Sequence, residues 1–154
     1  MQQPYASTVE MNMPFTGAKI VLLMGDQLIT ILRDDRPDIP YPNHWDLPGG
    51  GREGRETPLH CALRETREEL GLTVPPGSIV WGRRFCAPDQ VNWFFVAYVP
   101  TGFEQQIVFG DEGQRWSTMD VTQFLRHPKA VPQFQNRLKI FLKERSETKN
   151  PPLL

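Results

Sequence analysis

Three carboxylates, Glu65, Glu68 and Glu69, stand within five positions in LRETREELGL, residues 63–72. On a helix, residues three and four apart are neighbours, and each like-charge pair costs about 0.2–0.5 kcal/mol. One reading of such a run is a solvated acidic surface. The other is a cation seat. Carboxylates on one rigid helix supply hard oxygen donors without reorganisation, which suits Mg2+ and its octahedral oxygen shell. With the cation in place, repulsion among the acids becomes attraction to the metal. An ion held there can neutralise phosphate oxygens and lower the pKa of a water it binds, so the available chemistry is hydrolysis at phosphorus.

The surrounding sequence must supply the rigid helix. Thr57 is a helix cap with Pro58 at the first helical position, and Gly71 is the stop. Leu59, Leu63, Thr66 and Leu70 recur at spacings of four, three and four, a narrow docking stripe. The acids are expected on the opposite side. Upstream, AKIVLLMGDQLITILRD predicts strands over 18–24 and 27–33 joined at Gly25-Asp26. The three prolines of RPDIPYPNHW, residues 36–45, predict a long loop of the kind that binds ligands. Gly49 and Gly50 let backbone approach closely, so that a carbonyl there can complete a coordination shell.

Downstream, residues 79–86 read as a strand, and VNWFFVAYV (91–99) as a central one, apolar on both faces. RWSTM, 115–119, adds a short strand, and Asp120 caps a helix through Arg126. Val131, Phe134, Leu138 and Phe141 suit a closing amphipathic helix. Strands interleaved with helices predict one α/β layered domain over 1–154 with a mixed sheet, 1–13 and 145–154 being flexible tails.

The formal net charge of −1 over 154 residues shows no basic excess of the kind that marks nucleic-acid or membrane-surface binding. No run approaches the roughly 20 apolar residues of a membrane helix, and no signal peptide is visible. Cys61 and Cys86 are too few for a disulfide framework. The expected setting is cytoplasmic, with reduced thiols.

In WDLPGGGREGRETPLHCALRETREELGL, Gly50, Glu56, Arg64, Glu65, Glu68, Glu69, Gly71 and Leu72 fall at the spacing of GX5EX7REUXEEXGU, where U is a bulky aliphatic. The segment resembles the Nudix box, and residues 17–142 resemble the family more weakly. Thr66 departs from the pattern at a position for a bulky aliphatic; on the docking stripe its hydroxyl can bond back to the Ala62 carbonyl.

The resemblance implies a Nudix-type α/β/α sandwich and a Mg2+-dependent pyrophosphohydrolase, with Mn2+ able to substitute. Its substrate would be a nucleoside diphosphate linked to another moiety: a nucleoside triphosphate, ADP-ribose or a nucleotide sugar. Glu68 and Glu69, with the Gly50 carbonyl, look like metal ligands, and Glu65 is either a further ligand or the water-activating base. Arg64 and Glu56 look like the supporting pair that orients the carboxylates. Glu112 is the first candidate for an acid recruited from outside the box, with Asp111 its rival. The partner is a small nucleotide rather than nucleic acid or membrane, and a homodimer is compatible with the sequence. The alternatives are a non-catalytic nucleotide sensor and an allylic diphosphate isomerase using Cys86.

Specificity must come from outside the box. Tyr41, Trp45, Phe85 and Trp93 are candidates for stacking on a base. Arg33, Arg36, Arg83 and Arg84 are candidates for meeting phosphates. Pro88, sixteen residues past the box, resembles the ADP-ribose-hydrolysing branch. His44, His60 and His127 form no cluster in the sequence.

Overall fold

The computed structural model describes residues 13–149. Seven strands form one mixed sheet: β1 (Gly17–Met24), β2 (Gln27–Leu32), β3 (Trp45–Asp46), β4 (Gly49–Gly51), β5 (Ile79–Ala87), β6 (Gln90–Tyr98) and β7 (Arg115–Asp120). Three helices accompany them: α1 (Pro58–Leu70), α2 (Val121–Arg126) and α3 (Pro132–Lys149). The main path through the sheet is β3-β2-β1-β6-β5, with β4 added to β1 and β7 to β2. Among the strands of the described residues, only β1 and β6 pair in parallel, from Gly17↔Asn92 to Leu23↔Tyr98.

The period of two along the central strands sorts the core into two layers. Ile20 and Leu22 of β1, with Trp93, Phe95 and Ala97 of β6, pack on the α1 side. Val21 and Leu23, with Phe94 and Val96, pack on the α2 and α3 side against Phe124, Val131, Phe134, Leu138 and Phe141. Strand β6 is thus covered on both faces, as its unbroken apolar run predicts. Gly25 takes a positive φ of 65° in the two-residue β1–β2 connection.

Helix α1 begins and ends where expected. The Thr57 side chain accepts from the His60 backbone N–H, and Gly71 sits in the left-handed region at φ 66°. The docking face is different. Leu59, Thr66 and Leu70 are buried, but Leu63 is only partly covered. The buried arc instead runs the other way, through Pro58, Cys61 and Ala62, because β4 lies alongside the helix and closes over that flank. Glu65 and Glu69 project on this flank, toward β4, and not away from the core. The Thr66 hydroxyl donates to the Ala62 carbonyl at 2.7 Å, so the buried threonine satisfies itself within the helix.

Two smaller expectations need correction. Asp120 occupies the position before α2 without capping it through its side chain; its carboxylate accepts from Gln27 Nε2 at 3.2 Å instead. The closing helix continues through Lys149, over the first part of the stretch expected to be a flexible tail. Residues 1–12 and 150–154 lie outside the described residues.

Candidate active site

The glycine run is a strand, not a free loop, and it is the floor of the site. Gly17, Ala18 and Lys19 pair with Gly51, Gly50 and Gly49. Gly49 has φ 134°, and a Cβ there would run into the backbone of Ala18 and Lys19. At Gly50 the neighbour is the site itself: a Cβ would stand 2.7 Å from the Glu65 carboxylate carbon. The missing side chain at residue 50 is the space that Glu65 occupies.

Arg64 organises the acids around it. Its Nε donates to Glu56 Oε2 at 2.7 Å and its Nη2 to Glu56 Oε1 at 2.9 Å, a two-pronged pairing that fixes the guanidinium plane. Nη2 also donates to the Gly51 carbonyl at 2.9 Å. Nη1 reaches Glu65 Oε1 at 2.9 Å and Glu68 Oε2 at 3.0 Å. The guanidinium bonds hold the Glu56 carboxyl well below its ordinary range, at about 2, and these carboxylates raise the Arg64 pKa further.

Glu69 turns to β4, where its Oε1 accepts the Gly49 N–H at 2.8 Å. Burial pushes the Glu69 carboxyl up to about 7, against the pull of Lys19 and the Gly49 N–H. Burial raises Glu65 as well, and Glu68 and Glu112 add repulsion in the same direction. In both groups the loss of water is the larger cause and repulsion among the acids adds to it, against the pull of Arg64 on Glu65 and of Lys19 on Glu69.

Glu112, named from sequence as the acid from outside the box, does reach the box. A cleft of about 280 Å³ is lined by Glu53, Glu65, Glu68, Glu69, Asp111 and Glu112. The last two are brought there by backbone. The Val108 N–H donates to the Leu70 carbonyl and the Gly110 N–H to the Glu69 carbonyl, both at 2.8 Å. The chain that carries Asp111 and Glu112 is therefore hooked onto the open carbonyls at the end of α1.

The donor set fits a divalent cation, with one qualification in its arrangement. Glu65, Glu68 and Glu69 each spend one oxygen on the protein, and their Oε2, Oε1 and Oε2 atoms, respectively, make no hydrogen bond among the described residues. Hard oxygens left over on one cleft are what Mg2+ or Mn2+ takes. Yet among the described residues no three of these side chains already stand as a closed ligand group. The sequence reading had them converging on one ion; here Arg64 bridges Glu65 and Glu68 while Glu69 turns to β4. The Gly50 carbonyl, expected as a ligand, faces Cys61 Sγ at 3.4 Å.

The residues expected to meet substrate divide. Arg33 lies between two clefts beside the acidic one, and Arg36 borders one of them while pairing with Asp38. Tyr41 is exposed on the second. Trp45 is not available: it is buried with Leu47 and Val131 on the α3 side, edge-on to His127. Trp93 is wholly buried and stacked on Phe95. Arg84 is on β5, where it donates to Met13 Sδ, and it is not among the residues lining these clefts. Arg83 pairs with Glu144.

Sequence reasoning missed Lys19 and Asp46. Lys19 Nζ donates to Asp46 Oδ2 at 3.1 Å and to the Leu47 and Gly49 carbonyls at 3.2 and 3.0 Å. Arg33 Nε donates to the same Asp46 oxygen at 3.0 Å. This network pins the turn between β3 and β4, and hence the floor under Glu65 and Glu69. The available signal was a lone lysine inside the apolar strand AKIVLLM.

Residues 13–140 match the model of the NUDIX domain. The chain belongs to the Nudix family. That is a family of hydrolases acting on phosphoric anhydrides. Among curated relatives, the chain is similar to the m7GpppN-mRNA hydrolase NUDT17 of Bos taurus, 36% identical over 84 residues, which are 52% of this chain and 28% of the relative. It is also similar to an RNA pyrophosphohydrolase of Acidiphilium cryptum, 38% identical over 71 residues, 46% of this chain and 38% of the relative. The match thus spans about a third of these relatives' length. The MutT protein of Methanosarcina mazei Go1 shares the fold, with a TM-score of 0.66 and 20% identity over 85% of this chain and 94% of that one. The mixed sheet flanked by helices is the Nudix α/β fold.

The isomerase alternative would need a reactive cysteine in the cleft. Cys86 is exposed on β5, and it is not among the residues lining these clefts. Cys61 is buried, and burial pushes its thiol up to about 12. Among the described residues no helix is long and apolar enough to cross a membrane.

Proposed function

We propose that this Nudix protein is a divalent-cation-dependent pyrophosphohydrolase, with Mg2+ the working ion and Mn2+ able to replace it. Its substrate is a small nucleotide in which a nucleoside diphosphate is linked to another moiety. One observation carries the reading: six carboxylates from α1, the segment before it and the 111–112 loop line a single cleft.

Glu68 and Glu69 would hold the ion, with Glu112 or Asp111 reaching it from the same cleft. A cation bound there would neutralise phosphate charge and make a water more acidic. The protein's own side chains do the rest. Arg64, held flat by Glu56, fixes the positions of Glu65 and Glu68, the kind of outer support on which ligand geometry depends. Glu65 would be either a further ligand or the base that takes a proton from attacking water, and burial, which raises its affinity for a proton, supports the second role. Lys19 and Asp46 hold the β3–β4 turn, so that Gly50 leaves room for the Glu65 carboxylate.

The test is a substrate panel with purified protein in Mg2+, in Mn2+ and in EDTA. It comprises nucleoside triphosphates, normal and oxidised, ADP-ribose, NADH, nucleotide sugars and dinucleoside polyphosphates. Two relatives are named for RNA substrates, so a 5′-triphosphorylated oligoribonucleotide belongs in it too. We expect a nucleoside monophosphate product that disappears in EDTA. A folded protein that cleaves nothing in the panel with either ion, yet binds a nucleotide, would overturn this reading in favour of a sensor.

A further inference from the structure

On the other side of β4 lies a cleft of about 380 Å³ with the opposite charge character. It is bounded by the start of β1, β4, the 33–41 loop, the start of β6 and α3. Lys19, Arg33 and Arg137 line it, and no lining residue is acidic. Two of these cations are already committed. Lys19 spends its hydrogens on Asp46 and two carbonyls. Arg33 is held by Asp46 and by the Pro40 carbonyl at 2.6 Å.

Arg137 is different. Its guanidinium carbon lies 4.7 Å from the Phe85 ring centroid and 5.7 Å from that of Phe134. It is half-buried, and among the described residues it has neither a hydrogen bond nor an ion pair. Burial alone lowers its pKa, with no carboxylate to oppose it. A cation taken partly out of water without a partner destabilises a fold. The two rings steady the guanidinium but leave its donor fork unspent. A planar fork with several fixed N–H groups is matched to the oxygens of a phosphate.

We propose that Arg137 receives a phosphate of the substrate other than the two joined by the anhydride that is cut. The inference rests on the pyrophosphohydrolase reading for its substrate, and it narrows that substrate to one with a third phosphoryl group. Acids crowd the side of β4 where the cut would occur, and the remaining negative charge of a polyphosphate finds its partner across the strand.

The test has two arms. In EDTA, sodium tripolyphosphate is titrated calorimetrically into wild type, Arg137→Met and Arg137→Lys. Affinity should fall on the order of tenfold in the methionine variant, with part of it recovered by lysine. The melting temperature of Arg137→Met should equal or exceed that of wild type, since a desolvated charge is removed and the apolar stem kept. In Mg2+, the kcat/KM of Arg137→Met should fall about tenfold more on a nucleoside triphosphate than on a nucleotide sugar with an uncharged far half. Equal tripolyphosphate affinity in wild type and Arg137→Met overturns the proposal, as does a lower melting temperature with unchanged affinity. An equal loss on both substrates overturns it too. If wild type cleaves no anhydride, the hydrolase reading falls while the tripolyphosphate titration still decides Arg137.

Discussion

The two faces of β4 differ in sign and in the state of their charges. On one, six carboxylates crowd together and two of them, Glu65 and Glu69, have raised proton affinities. On the other, three cations line a cleft without a single acid. A folded protein could have lowered its energy by mixing the two sets. Three glycines lie between them with no side chains to mediate contact; Lys19 and Arg33 are held by Asp46, whereas Arg137 has neither a hydrogen bond nor an ion pair among the described residues. On the proposed function, this charge separation serves a ligand rather than the fold.

Neutralising the acidic face should have the largest effect. Glu69→Gln and Glu65→Gln are each expected to lower Mg2+-dependent turnover by at least about a hundredfold, measured as kcat on the best substrate of the panel. The metal-free Glu69→Gln protein should melt higher than wild type at pH 8. A carboxyl raised from 4.5 to about 7 contributes stability below pH 4.5 and loses it as the pH climbs through 7. At pH 8 the amide therefore relieves a strain the carboxylate imposes. A variant that melts lower would show that burying the ionised Glu69 carboxylate does not cost the fold stability.

The floor between the faces comes next. Gly50→Ala places a methyl group 2.7 Å from the Glu65 carboxylate, a flexible end that can swing away. Turnover should drop about ten- to a hundredfold with little loss of stability. Gly49→Ala meets backbone instead, with Lys19 Cα at 2.7 Å, and has φ 134° to maintain. Its cost should be at least about 2 kcal/mol in urea unfolding. Similar unfolding curves for the two variants would blur the distinction between a chemical and a structural glycine.

Under the acidic face, Leu70→Ala should cost about 2–5 kcal/mol because Leu70 is wholly buried, and Leu63→Ala only about 1 kcal/mol because it sits on the edge of the docking arc. The smallest effect is an acid-side one. Glu56, held at about 2 by Arg64, contributes stability that is complete above pH 4.5 and lost as the pH falls toward 2. Glu56→Gln should flatten that part of the melting-temperature profile. An unaltered slope would mean that Glu56 does not brace Arg64 in solution.

Much of this frame was legible in the sequence because its signals are local. Thr57, Pro58 and Gly71 bound α1 by their own backbone preferences, and the apolar run at 91–99 marks a strand covered on both faces. Glu112, expected from the family resemblance, does line the cleft with the box acids, although the backbone hook that brings it there was not readable. The misreadings are tertiary. The strand character of Gly49–Gly51 leaves no side-chain alternation to detect, so the flank of α1 that it covers could not be foreseen. That is why Glu65 and Glu69 were expected opposite the core when they face β4. Trp45 is drawn into the core by the chain segment around Lys129 and Val131, some 85 residues away by number. Arg137 was invisible because what distinguishes it is the lack of a hydrogen-bond or ion-pair partner among the described residues.

The amide hook from residues 108 and 110 to the last carbonyls of α1 has a consequence for how this protein could be remodelled. Grafting a different connection between β6 and β7 would remove more than two side chains. It would uncover the terminal turn of the helix, letting it unwind and carry Glu69 with it. Hydrogen exchange at the amides of Val108 and Gly110 should therefore track that of the helix end, and a redesigned loop would need to carry the same two donors to keep the wall of the acidic cleft upright.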